Sequence, residues 1–418
     1  MMGARRRSAA QGVDMNSLLR IVARIGSALM AFWASLCYSV PDVDDWKPSV
    51  STRDGLEGLA DEVRRETGVP GLAVALIHGD SVLTAVSGHL SVEESKQLNL
   101  EHRLHIGSVS KGITALLIAD MVQRNELSWD TTLEQALPGL EMHSDFRKVT
   151  IHQLLVNQAG LLGYQNTESE DAKDVSFLDR DLPARRLSPG AERQAVAEYV
   201  LSRAPFYKPG TRALYSNVGW ALLGLIVERR AGKSFEDLLS ERILEPLEMK
   251  GVRVGGWPAS NSDPNQPRGH YMKDGEFVAQ PLEDEYRLPN WLNSAGGLHM
   301  TIQDFALYAR DALRGLRGEE ALLPGSYYRA IHSEHIAVPV RELYPEMNSS
   351  HSLRMGYGWA LMETNRGSLS AGEGSAGTFF ASVLVFPYLN VAVVTVTNCG
   401  DRTPSARLIK RLTGIPWG

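Results

Sequence analysis

Cysteine is nearly missing from this chain. Cys37 and Cys399 are the only two among 418 residues, which excludes a disulfide-stapled scaffold and any zinc cluster built on cysteine. If Cys37 leaves with the N-terminus, Cys399 has no intramolecular partner, so a hydrophobic core must hold the fold. Long basic runs are missing as well. Outside the extreme N-terminus basic and acidic residues are interspersed and the formal net charge is −6, so no nucleic-acid partner is expected. There is no internal repeat and no low-complexity tract. His332 and His335, in "IHSEH", have no third ligand at a defined spacing, so they read as solvated helix histidines, and neither a metal nor a cofactor is expected.

What is present is the composition of a soluble globular protein, 43% hydrophobic and 22% charged, long enough for one large or two ordinary domains. The N-terminus differs. Arg5, Arg6, Arg7, Arg20 and Arg24 precede the apolar run "IGSALMAFWASLCYS", Ile25 to Ser39, and the polar "VPDVDDWKPS" follows. That run is short for a membrane span, and its layout is that of an export signal. Residues 1–39 are therefore expected to be a signal peptide or, alternatively, an uncleaved membrane anchor, with 40–418 periplasmic or secreted. Loss of 1–39 would leave a net charge of −10.

Helical periodicity over 54–68 ends at Gly68 and Pro70. "GLAVALIHGDSVLTAVSGHL" follows as two β-rich runs around His78-Gly79-Asp80, a hairpin signal. A second hairpin, in "GTFFASVLVFPYLNVAVVTVTN", turns at Pro387 to Asn390, and "RTPSARLIKRLTG" closes the chain as a helix. Between them lie helical patterns at 109–124, 150–156, 191–203, 217–231, 234–244 and 301–313. Strands at both ends with helices between them predict an α+β fold. In it an antiparallel sheet built from 40–105 and 295–418 is flanked by the terminal helices, and a mostly helical part is inserted at 106–294. Residues 160–190 and 250–290, richer in Pro, Gly and charge, read as surface excursions.

Chemistry is concentrated in "LHIGSVSKGITALLIADMVQ", Leu104 to Gln123. Of ten lysines only Lys111 has a serine, Ser108, three residues before it, yet about one such pair arises by chance in a chain of this composition. Context raises its weight. Gly107 precedes Ser108 at the entry to an apolar helix, where free N–H groups and the helix dipole favour a developing anion. A spacing of three also brings Lys111 round to the same helix face. The competing reading makes Ser108 an ordinary N-cap.

A serine–lysine nucleophile needs a further polar residue from another loop. Three Tyr-x-Asn triplets qualify: Tyr164 to Asn166, Tyr215 to Asn217 and Tyr388 to Asn390. Tyr388 falls in the hairpin turn and Tyr164 in a polar excursion, where asparagine serves turns. Tyr215 stands at a loop-to-helix junction before "VGWALLGLIVE" and is the candidate.

These residues, with "TIHQLLVNQAGL", "NSAGGLHMTIQDFALYARDAL", "MGYGW" and "SVLVFPYLNVAVVTVTN" in that order along the chain, resemble the serine β-lactamase-related hydrolases of class C type. That group also includes D-alanyl-D-alanine carboxypeptidases, D-aminopeptidases and penicillin-binding-protein-like esterases. The resemblance runs from about Leu56 to Asn398. It implies Ser108 as nucleophile, Lys111 as proton acceptor, Tyr215 as general acid/base and Asn217 as a substrate-amide contact. One element departs from it. Where such proteins usually carry Lys-Thr-Gly or His-x-Gly, this chain has "SAGEGSAGTFF", which puts Gly372, or Glu373 in a register shifted by one, at the cation's place. Gly374 remains as the close-approach glycine and Ser375 as the backbone oxyanion donor.

A missing cation weakens recognition of a substrate carboxylate, and Glu373 would repel one. The expected function is an exported serine hydrolase with an acyl-enzyme on Ser108, acting on an ester or amide of a small-molecule or peptide substrate, and tilted toward esters or less acidic amides rather than β-lactams or D-amino-acid peptides. The alternative is a catalytically silent cell-envelope binding or regulatory protein. In the enzyme, Lys111 and Tyr215 are expected to perturb each other's ionisation.

Overall fold

The computed structural model describes residues 47–415 apart from 162, 165–175, 256–262, 264, 282–287, 340–351 and 365–366. The expected signal or anchor, Cys37 and Asn166 lie outside the described residues.

The β-branched runs at the two ends of the chain become neighbours. The strands are β1 (Gly71–His78), β2 (Ser81–Gly88), β3 (Leu104–His105), β4 (Arg253–Val254), β5 (His270–Lys273), β6 (Glu276–Ala279) and β7 (Leu298–Met300). Then come β8 (Ile336–Pro339), β9 (Ser352–Met355), β10 (Ala360–Thr364), β11 (Gly367–Ser375), β12 (Phe380–Phe386) and β13 (Val391–Thr397). An eight-stranded sheet has the order β2-β1-β13-β12-β11-β10-β9-β8. The two predicted hairpins therefore share one sheet, with β1 antiparallel to β13 from Leu72↔Thr397 to His78↔Val391. β12 and β13 are buried throughout, as continuous apolar runs covered on both faces must be.

The helices are α1 (Arg53–Thr67), α2 (Ser110–Gln123), α3 (Leu133–Ala136), α4 (Ile151–Leu155), α5 (Pro189–Leu201) and α6 (Asn217–Ala231). They continue with α7 (Phe235–Leu239), α8 (Asn293–Gly296), α9 (Ile302–Arg317), α10 (Gly325–Ile331) and α11 (Thr403–Thr413). The terminal pair α1 and α11 covers one sheet face, with Leu56, Ala60 and Val63 meeting Leu408, Ile409 and Leu412 over Val74, Val391 and Val393. On the other face α9 lies against β1, β12 and β13. Beyond it α2 is buried from Ser110 to Met121 and α6 from Val218 to Val227. Helices apolar all round are core helices, and α2 is the one that carries the candidate site.

Three expectations need correction. Leu104–His105 does not join the large sheet: β3, β7 and β4 form a separate three-stranded sheet. The stretch 250–290 is more than a surface excursion, because β5 and β6 form a hairpin whose Asp274 and Gly275 take φ +52° and +86°, the left-handed pair of a type I′ turn. His332 is not a solvated helix histidine; it is buried just after α10, its ring 4.5 Å from that of Trp359, while His335 stacks on Tyr357 at 4.0 Å.

Candidate active site

Ser108 sits in a single 3₁₀ turn, Gly107–Val109, between β3 and α2. Gly107 has φ +51°, and a Cβ there would come 2.5 Å from the backbone N of Ser375, so only glycine passes. Ser108 does not cap α2, which has no side-chain cap. The serine that braces the turn is Ser110, whose hydroxyl donates to the Gly107 carbonyl at 2.7 Å and accepts from Leu298 N–H at 3.3 Å. The Ser108 hydroxyl is thereby left for other partners.

Those partners are the expected ones. Lys111 Nζ lies 3.1 Å from Ser108 Oγ, and the Tyr215 hydroxyl donates to Ser108 Oγ at 2.8 Å. Lys111 is 3% exposed, and its amine also donates to Asn217 Oδ1 at 2.8 Å and to the Ala295 carbonyl at 2.7 Å. Burial holds the Lys111 amine well below its ordinary pKa, and burial pushes the Tyr215 phenol up, opposed by its bond to Ser108. Desolvation thus favours the uncharged form of each group, and it, not mutual electrostatic perturbation, is the cause of both shifts. A neutral amine has two N–H donors and one lone pair. Asn217 and Ala295 take the donors, and the lone pair faces Ser108.

Local sequence explains how Tyr215 and Asn217 arrive there. Ser216 between them is the N-cap of α6, its hydroxyl accepting from Gly219 N–H at 3.1 Å. Asn157, at φ +58°, accepts from Ser216 N–H through its side chain at 3.2 Å and from Leu214 N–H through its carbonyl at 2.9 Å. The Asn217 amide holds Lys111 at one end and donates to the Tyr164 carbonyl at 2.9 Å from the other. Tyr164, expected in a polar excursion, is instead buried. It is 5% exposed, with its ring 4.8 Å from Trp291. Tyr388 stays at the distant hairpin, in a 3₁₀ turn. Asn157, Tyr164 and the Ala295 carbonyl escaped sequence reasoning. The Tyr-x-Asn pattern at Tyr164 and the "NSAGG" run were their only signals.

The strand opposite is β11. Gly374 packs on the Ile106 carbonyl and on the backbone N of Ser108, where a Cβ would sit 2.5 Å from that nitrogen. The Ser375 side chain turns away, donating to the Phe379 carbonyl at 2.7 Å and accepting from Gly377 N–H at 3.0 Å, so its backbone is the part that meets Gly107. Strand alternation puts Gly372 on the same face as Gly374 and Glu373 on the other. The Glu373 side chain, 1% exposed, pairs with Arg402 at 3.1 Å. The register thus resolves to Gly372 at the cation's place, and the expected repulsion by Glu373 is withdrawn. A Cβ at Gly372 would meet Val383 Cγ1 at 3.1 Å and Trp359 at 3.9 Å. Arg354, a possible substitute cation, is bound to Glu334 at 2.6 Å. Among the described residues no three His, Cys, Asp or Glu gather to hold a metal ion.

Comparison with known proteins agrees with this geometry. The chain is 25% identical over 354 residues to penicillin-binding protein 4 of Amycolatopsis lactamdurans, covering 82% of this chain and 84% of that one. It is 23% identical over 314 residues to a penicillin-binding protein of Bacillus subtilis (strain 168), covering 75% of this chain but only 64% of that relative. The chain therefore spans less than two thirds of that relative's length. Among solved structures, the octameric penicillin-binding protein homologue from Pyrococcus abyssi superposes with a TM-score of 0.65 and 26% identity, over 85% of this chain and 75% of that one. The family model described as Beta-lactamase matches residues 56–414, and with Ser108, Lys111 and Tyr215 assembled at its expected centre, the chain belongs to the beta-lactamase family of serine hydrolases.

Proposed function

We propose that the chain hydrolyses neutral esters through an acyl-enzyme on Ser108, and takes carboxylate-bearing β-lactams or D-amino-acid peptides less readily. The observation that carries this is the buried Lys111 amine 3.1 Å from a Ser108 hydroxyl that also accepts from Tyr215, with burial favouring the uncharged amine. A serine hydroxyl is a poor nucleophile until a base takes its proton. Lys111 receives that proton as Ser108 Oγ bonds to the substrate carbonyl carbon, and the resulting oxyanion is stabilised by the N–H groups of Ser108 and Ser375. Tyr215 donates its proton to the departing alkoxide and regains one from Lys111, which resets the base. Water then attacks the acyl-enzyme by the same route in reverse, releasing the acid and Ser108. Desolvation serves both partners, since each must be uncharged to begin.

The ester preference rests on Gly372. Without a cation at that place, a substrate carboxylate forgoes a charge-assisted pair of about 1.5–3 kcal/mol, roughly tenfold to a hundredfold in selectivity. Purified protein should hydrolyse p-nitrophenyl acetate or butyrate faster than nitrocefin, and Ser108→Ala should abolish the activity together with labelling by a fluorescent fluorophosphonate. Wild-type protein that neither labels nor turns over any ester would identify a catalytically silent binding protein instead. Nitrocefin turnover equal to that of the best ester would overturn the preference. We also propose that residues 1–39 direct export, on the arginine-then-apolar layout of that segment.

A further inference from the structure

Three residues before the nucleophile stands His105, a side chain for which the mechanism above has no use. It is fully buried, and β3 sets it opposite His299 of β7. Its Nδ1 accepts the Gly107 N–H at 3.2 Å. With Nδ1 accepting, the neutral ring carries its proton on Nε2. Around it are the Phe379 ring at 6.4 Å and, from β7, His299. Arg103 and Arg253 face His299 in turn. Burial takes His105 down to about 4 and His299 to about 3, the latter assisted by His105 and the two arginines. Neither ring is charged at neutral pH.

Gly107 carries the left-handed turn that presents Ser108 and meets Ser375. Gly296 follows Ala295, whose carbonyl holds the Lys111 amine, and a Cβ on Gly296 would lie 3.7 Å from the Gly107 carbonyl carbon. We propose that His105 is a positioning residue that holds the nucleophile turn by accepting the Gly107 N–H, and so sets the distance between Ser108 Oγ and Lys111 Nζ. This rests on the acyl-enzyme reading of the site. Deleting the ring leaves the Gly107 N–H buried without an acceptor, and the turn relaxes to find one.

The test uses three variants of the full chain. His105→Asn keeps an acceptor oxygen close to where Nδ1 lies, His105→Gln places its amide nearer Nε2, and His105→Phe fills the space with neither. For p-nitrophenyl butyrate, His105→Phe should lower kcat about tenfold or more with KM changed by less than about twofold, and His105→Asn should recover most of the loss while His105→Gln does not. In parallel, amide exchange of a peptide spanning 104–109 should be faster than wild type in His105→Phe and His105→Gln, and near wild type in His105→Asn. Wild-type kcat and exchange in His105→Phe would overturn the proposal, as would failure of His105→Asn to recover either, since the ring would then act only by packing. A wild-type protein inert to fluorophosphonate and esters would sink the hydrolase reading alone. The exchange data would still decide whether His105 holds the Gly107 turn.

Discussion

Replacing Lys111 with methionine tests whether this lysine is folded as a free base. The amine is 3% exposed, and its contacts are two oxygen acceptors and a hydroxyl, with burial the sole cause of its lowered pKa. In the unfolded chain it titrates near 10.4. Between its folded pKa and that value the unfolded state binds one more proton than the folded state, so stability rises with pH by about 1.4 kcal/mol per unit. That contribution is lost as pH falls and levels off below the folded pKa. A domain of this length unfolds with an entropy near 0.8 kcal/mol/K, so the slope corresponds to about 2 °C in Tm per pH unit. Methionine fills a similar volume and does not titrate. The Tm of wild type minus that of Lys111→Met, followed by scanning calorimetry from pH 6 to 10, should therefore climb by about 2 °C per unit over part of that range, other titrations cancelling in the difference. The sign of the offset depends on how water reaches Asn217 and Ala295, but the slope does not. A flat difference would mean that Lys111 is protonated in the fold and cannot take a proton from Ser108. Ester hydrolysis by Lys111→Met should also fall about 10²- to 10⁴-fold, as for loss of a general base.

Introducing the absent cation as Gly372→Lys should shift selectivity toward carboxylate-bearing substrates by roughly tenfold to a hundredfold. Contact with Val383 and Trp359 should cost about 1–3 kcal/mol of stability, read from denaturant midpoints, and an unchanged ester-to-nitrocefin ratio in the folded variant would refute the assignment of that position. Glu373→Gln removes the charge from a nearly buried pair whose arginine is 18% exposed, so a loss of about 2–4 kcal/mol is expected. The same variant should leave the ester-to-nitrocefin ratio where it was, because the side chain faces away from Ser108. For the N-terminus, intact mass and N-terminal sequencing of protein recovered from an exporting host should find a chain beginning near residue 40, whereas retention of 1–39 in the membrane fraction would identify an anchor.

Much of the fold could be read because its determinants are local. Helix α6 begins where Ser216 can cap it and α9 where Thr301 and Asp304 form a capping box, and short-range hydrogen bonds of this kind leave a signature in adjacent residues. The hairpin at Asp274-Gly275 carried such a signature too, between "HYMK" and "EFVA", and was obscured by the charged, Pro- and Gly-rich stretch around it. For the site, the spacing of Ser108 and Lys111 and the junction at Tyr215 were sufficient to choose the three residues that the fold brings within hydrogen-bonding distance. Ala295 was not readable, because it acts through a carbonyl that every residue type possesses. Nor were Asn157 and His105, each a polar residue whose partner is a backbone N–H.

The amino-acid sequence alone determined where helices and strands begin, which serine stands three residues before a lysine at a helix entry, and which strand lacks a cation, since each depends on residue order over a few positions. Only the tertiary structure decided that Glu373 turns to Arg402 and leaves Gly372 toward the site, and that burial disfavours the charged forms of Lys111 and Tyr215. The face a strand presents depends on its register with β12, and an amine is desolvated only when distant segments, here α6 and α8, close over it and exclude water.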